Sequence, residues 1–134
     1  MNIKIKKFKK ISDDRGDLIV FLKNSDLNEE NSTFGQIYFV TFKGKNVIRG
    51  NHFHKEWNEW FGVVSGKVEA HLIDVNTQEK KVLVLDSNND EYILLEIGPG
   101  IAHAFKSLTK EAQLLNYANS KWSAEDSIKY EVIK

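Results

Sequence analysis

Strand-length apolar or β-branched segments, set apart by turn-forming residues at a spacing of roughly 8–12 residues, recur along this 134-residue chain. The clearest are Leu18–Leu22, Phe34–Phe42, Trp60–Val64, Val68–Val75, Lys81–Leu85, Glu91–Ile97, Gly100–Ser107 and Ala112–Asn119. Turn residues punctuate them at Asp13-Asp14-Arg15-Gly16, Lys43-Gly44-Lys45-Asn46, Ser65-Gly66-Lys67, Asn76-Thr77 and Ser87-Asn88-Asn89-Asp90. That rhythm predicts an all-β sandwich or barrel. Only Ser123–Asp126, a Ser cap followed by acids, predicts a helical turn. The polar stretch Asn24–Thr33 predicts one exposed loop. No linker, repeat or low-complexity tract interrupts the pattern, so one domain spanning residues 1–134 is expected.

Lysines and arginines balance aspartates and glutamates, 19 against 19. No global field therefore draws the chain to nucleic acid or to an anionic membrane. The lysines at 4, 6, 7, 9 and 10 alternate with Ile3, Ile5, Phe8 and Ile11, the pattern of a solvated strand face. Cysteine is absent, which excludes disulfides and thiolate chemistry. The sequence has no apolar run long enough to span a membrane and no apolar core of a signal peptide, so a cytoplasmic location is expected.

Three of the four histidines lie in two short signatures, Arg49-Gly50-Asn51-His52-Phe53-His54 and Gly98-Pro99-Gly100-Ile101-Ala102-His103. Strand residues two apart share a face, so His52 and His54 point together, and Asn51 and Phe53 point the other way. Apolar flanks favour an inward pair. Glu59 follows at a distance that lets the chain turn and re-enter on the next strand. Such a cluster serves either as proton-transfer machinery or as a cage for a transition metal.

The spacing His52-x-His54, four residues, Glu59, six residues, Gly66 resembles the first motif of the cupins, and Pro99-Gly100-x-x-His103 resembles their second. Ser107 stands where that family usually has Asn. The resemblance implies a double-stranded β-helix, or jelly roll. It also implies that His52, His54, Glu59 and His103 are the ligand set wherever a metal such as Zn, Fe, Mn or Ni is bound.

Within that fold, Asp14-Arg15-Gly16-x-Leu18, Tyr38-Phe39 and Arg49-Gly50-x-His52-x-His54-Lys55 resemble the sugar 3,4-ketoisomerases of thymidine-diphosphate-linked 4-keto-6-deoxyglucose. Arg49-Gly50-x-His52-Phe53 and Pro99-Gly100-x-Ala102-His103-x-Phe105 resemble the nucleotide-sugar 3,5-epimerases. Glu59 replaces the usual Gln of the first group, and His54 the usual Gln of the second. Both groups remove a proton beside a ketone and return it through an enediolate, for which a base near neutral pKa is suited.

The resemblance implies His52 as the base, with His54 returning a proton or orienting its neighbour. Tyr38 is the third catalytic candidate, a donor or relay at a sugar oxygen. Arg49 is the candidate for the diphosphate, since guanidinium engages phosphate in a fork; a structural bond to Asp14 or Glu59 is its other reading. His103 either polarises the carbonyl or completes a metal cage, and Glu59 ligates, orients a histidine or pairs with Arg49. His71, outside both signatures, reads as structural or exposed. Trp57, Trp60 and Phe61 either stack on a nucleobase or pack the core. The expected function is a 3,4-ketoisomerase needing no cofactor, its partner a nucleotide-diphosphate sugar, in deoxysugar synthesis for surface polysaccharide. An epimerase, a metal-binding cupin without turnover and a metal-dependent oxygenase stand beside it. A homodimer is implied by both resembling families, with Met1–Ile11 as the strand for pairing or exchange.

Overall fold

The structure, a computed structural model, describes residues 1–27, 34–120 and 124–134. Twelve strands form there: β1 (Ile3–Lys9), β2 (Ile11–Asp13), β3 (Gly16–Leu18), β4 (Gln36–Phe42), β5 (Ile48–Phe53), β6 (Glu59–Ser65), β7 (Lys67–Asp74), β8 (Lys80–Asp86), β9 (Glu91–Ile97), β10 (Ile101–Ser107), β11 (Ala112–Ala118) and β12 (Ile128–Lys129). They pair antiparallel into two five-stranded sheets, β1-β9-β6-β11-β4 and β12-β5-β10-β7-β8, with β2-β3 a separate hairpin. This is the cupin double-stranded β-helix.

Alternation explains why the sheets stack. On β7, Val68, Ala70 and Leu72 are buried while Glu69 and His71 face outward. The inward side chains meet Phe61, Val63 and Leu95 of the opposite sheet, with Leu85, Ile97, Phe105 and Leu114 completing one core. Each such side chain contributes about 1.5–3 kcal/mol by leaving water. A second cluster lies on the outer face of the first sheet, where Trp60, Tyr92, Leu94 and Tyr117 are covered by Phe8, Ile19, Phe21, Leu22 and Leu27.

That cover corrects one expectation. Leu18–Leu22 is not a strand: β3 stops at Leu18, and Ile19, Phe21 and Leu22 leave the hairpin to seal the outer cluster. Its apolar run serves a lid over a sheet face rather than a ladder. A 3₁₀ turn at Asn24–Asp26 opens the stretch expected as a loop, whose residues 28–33 lie outside those described. The helical turn foreseen at Ser123–Asp126 is a 3₁₀ turn over Ala124–Asp126, with Ser123 also outside the described residues. The N-terminal β1 pairs with β9 of its own chain, and Lys4, Lys6, Lys7 and Lys9 are exposed. Among the described residues no helix is long and apolar enough to cross a membrane.

Candidate active site

A cavity of about 480 Å³ opens between the two sheets. Tyr38, Val40 and Phe42 line it from β4, Arg49 and His52 from β5, Glu59 and Phe61 from β6, His103 and Phe105 from β10, and Leu114 and Asn116 from β11. His54 and Trp57 join from the turn between β5 and β6. Every residue singled out above as catalytic or substrate-binding is among these.

The backbone of β5 makes this convergence possible. Its pairing with β10 skips a residue: His103 faces His52, whereas Ala104 faces Gly50. Asn51 is thus a bulge, with φ at 60° and Gly50 beside it at 103°. A side chain at Gly50 would press its Cβ to 2.8 Å from the His103 carbonyl oxygen, so only glycine permits this approach. In an unbroken strand Arg49 and His52 would take opposite faces. The extra residue brings both to one cavity.

Asn51 itself turns away and grips a later segment. Its Oδ1 accepts from the Val132 and Ile133 amides at 2.8 and 2.9 Å, and its Nδ2 donates to the Ile133 carbonyl at 3.0 Å. The same segment supplies Asp126, whose carboxylate accepts from the Lys55 and Glu56 amides and whose carbonyl oxygen lies 2.7 Å from His54 Nδ1. A carbonyl only accepts, which assigns the hydrogen of His54 to Nδ1. His103 is held likewise, its Nδ1 lying 3.0 Å from the Ile101 carbonyl oxygen. Both rings therefore turn Nε2 toward Glu59.

The three rings converge. His52 lies 5.0 Å from His54 and 4.8 Å from His103 between ring centroids, and His54 lies 5.7 Å from His103. Glu59 Oε1 stands 2.8 Å from His54 Nε2 and 3.4 Å from His103 Nε2. These are ion-pair distances without hydrogen-bond alignment, and Glu59 Oε1 and His103 Nε2 are buried with no hydrogen-bond partner among the described residues. Trp57 closes the floor, its ring 4.3 Å from that of His54. Exposure grades through the cavity: Arg49 is exposed, Tyr38 and His52 half-buried, and His54, Glu59 and His103 buried.

Charge follows this geometry. Burial, then the neighbouring His103 and His54, push the His52 imidazole down to about 4, so it is neutral near pH 7. Burial also works against charge on His54, but contact with the Glu59 carboxylate and the Asp126 carbonyl raises it overall. For Glu59 burial acts upward, yet His103 and His54 hold its carboxyl well below the usual range. Burial, and then the Glu59 charge, raise the Tyr38 phenol, which stays protonated.

The Arg49 side chain forms no ion pair or hydrogen bond with any described residue, so neither Asp14 nor Glu59 occupies it. Trp60 packs in the outer cluster and donates to Glu96, while Phe61 lies in the main core and lines the cavity. His71 pairs with Glu69 on the outer face of β7, in keeping with a structural role. Sequence reasoning missed Asp126, Asn51 and the buried, cavity-lining Asn116. The adjacent Gly50-Asn51, two residues tolerant of positive φ inside a strand, was the available signal for the bulge.

This barrel, with imidazoles and a carboxylate gathered inside it, defines the class: an isomerase of cupin fold. Within it, the chain belongs to the WxcM-like, C-terminal family (FdtA), which matches residues 1–132. The TDP-4-oxo-6-deoxy-alpha-D-glucose-3,4-oxoisomerase of Aneurinibacillus thermoaerophilus is 24% identical over 129 residues, 96% of this chain and 87% of that protein. A variant of the 3,4-ketoisomerase QdtA of Thermoanaerobacterium thermosaccharolyticum, solved with TDP-4-keto-6-deoxyglucose, superposes with a TM-score of 0.79. It is 25% identical, over 95% of this chain and 86% of that one. The WlaRB TDP-quinovose 3,4-ketoisomerase of Campylobacter jejuni reaches a TM-score of 0.76 at 29% identity, over 96% and 92% of the two chains.

Proposed function

We propose that this chain is a 3,4-ketoisomerase of a thymidine-diphosphate-linked 4-keto-6-deoxyhexose, serving deoxysugar synthesis for surface polysaccharide. It would act as a cytoplasmic homodimer of one-domain subunits. The observation that carries the reading is His52: a half-buried imidazole, neutral near pH 7, on the cavity wall beside two more deeply set rings. A base in that state accepts a proton without first losing one. The family match and the ketoisomerase relatives supply the substrate class.

Arg49, exposed at the cavity and unpaired among the described residues, meets the diphosphate. The 4-keto sugar then lies inward, toward His52. His52 takes the proton from C3, and the electrons of that C–H bond form an enediolate across C3 and C4. His54, whose charge Glu59 sustains, returns a proton to C4. Tyr38 gives its phenolic hydrogen to the C4 oxygen and takes the hydroxyl hydrogen of the C3 oxygen, which leaves a ketone at C3, a hydroxyl at C4 and the phenol restored. Positioning of the base contributes a factor of about 10²–10⁴. His103 and Glu59 form the wall behind the reacting carbons, and Glu59 with Asp126 sustains the charge of His54.

Incubation of TDP-4-keto-6-deoxyglucose with the protein in deuterated water tests this. Carbonyl migration to C3 with deuterium entering at C4 is expected. Exchange at C3 and C5 without migration would instead make the chain an epimerase, and no exchange would end the isomerase reading.

A further inference from the structure

The two five-stranded sheets have four edges, and one of them is unguarded. β1 carries Lys4, Lys6, Lys7 and Lys9, β8 opens with Lys80 and Lys81, and β12 is two residues long and ends in Lys129. Lysines and short length keep other strands away from an edge. β4 has neither. Its seven residues, Gln36–Phe42, contain no charge, and among the described residues its outer edge from Ile37 to Phe42 meets no other strand.

The face of β4 that turns away from the cavity is apolar as well. Tyr38, Val40 and Phe42 line the cavity, so Ile37 and Phe39 point outward. They are 58% and 64% exposed, and Phe34, just before the strand, is 70% exposed. Ile19, Phe21, Leu22 and Leu27 cover Trp60 and Tyr92 further along this face. Between that cover and β4 runs a groove of about 400 Å³, lined chiefly by Phe21, Leu22, Leu27, Phe34, Ile37 and Tyr117. Large apolar side chains exposed together beside an open groove mark an interface.

We infer that a second copy of this chain docks here, the two β4 strands antiparallel across a two-fold axis, with Phe34, Ile37 and Phe39 of each copy beside those of the other. A bare strand edge is matched by another strand. A strand that meets its own copy antiparallel is complementary to itself by symmetry. The 19 basic and 19 acidic residues balance, so no net charge holds two copies apart. The same strand presents Tyr38 to the cavity, so the interface backs the wall from which that phenol projects. The inference rests on the homodimer proposed above and gives it an interface, at the edge of the sheet opposite to β1.

Sedimentation equilibrium of the full-length protein over a range of concentrations is the test, and a dimer is expected. Ile37→Lys and Phe39→Lys each raise its dissociation constant at least ~thirtyfold. Val82→Lys, at a side chain 54% exposed on the edge strand β8, leaves it within about twofold. Thermal unfolding establishes that each variant is folded. Should either fail to fold, amide hydrogen exchange of the wild type is read above and below the dissociation constant. Protection gained on dimerisation then falls on residues 37–42. A dimer unweakened in both folded variants overturns the inference, as does protection gained within residues 1–11 and not on β4; the homodimer then stands with another interface. A wild type that stays monomeric at its highest soluble concentration overturns both and leaves the face to a different partner. No sugar enters these measurements, so the ketoisomerase reading is untouched by any of these results.

Discussion

Among the described residues, two histidine–glutamate contacts of hydrogen-bond length lie on opposite sides of the barrel wall. Inside, His54 Nε2 and Glu59 Oε1 lie 2.8 Å apart with side chains 6% and 8% exposed. Outside, His71 Nε2 and Glu69 Oε1 lie 2.6 Å apart with side chains 25% and 27% exposed. The outer pair joins neighbours two apart on one strand, and water screens it. The inner pair joins two elements, is anchored by a carbonyl from a third, and faces two further imidazoles. A short contact does not make a site. Burial, a fixed tautomer and a neighbour in a different protonation state do.

The comparison can be broken experimentally, and the largest effect belongs to His52. Replacing it by Asn should slow deuterium exchange into the ketosugar by about 10²–10⁴, whereas His71→Asn should leave the rate within twofold or so; equal losses would erase the distinction between the faces. Next comes Glu59→Ala, which strands charge beside His54 and should lower unfolding stability by about 3–5 kcal/mol in urea denaturation. A loss below ~1 kcal/mol would show that the inner pair is no better shielded than a surface one. Asp126→Ala leaves the Lys55 and Glu56 amides without their acceptor and should cost ~1–3 kcal/mol. It should also loosen His54, visible as a changed ring ¹⁵N shift. Smallest is Glu69→Gln, expected to change stability by less than about 1 kcal/mol; a larger drop would move the outer pair into the class of the inner one.

Most of this was legible in the residues where one rule acts alone. Alternation located β7 through β11 within a residue or two, because each buries one face against a single core. The spacing of His52, His54, Glu59 and His103 marked residues that do share a cavity. Legibility failed where a local pattern is overridden from a distance. Ile19, Phe21 and Leu22 look strand-like yet cover Trp60 and Tyr92, and nothing near them in sequence announces those partners. Arg49 and His52 share a cavity only because Asn51 breaks the pleat, which period-two reasoning does not see. The anchors of β5 and of the turn after it come from residues 126–133, 70 to 82 positions later.

The carbonyl that orients His54 comes from Asp126, 72 residues further along the chain. A ribosome adding about 5–20 residues per second needs roughly 4–14 s to bridge that interval. During those seconds the barrel strands are made while one imidazole swings without its guide. Until residue 126 is made the nascent chain lacks the anchor of that ring, and any cut or fusion that displaces the segment after residue 124 takes the anchor away again.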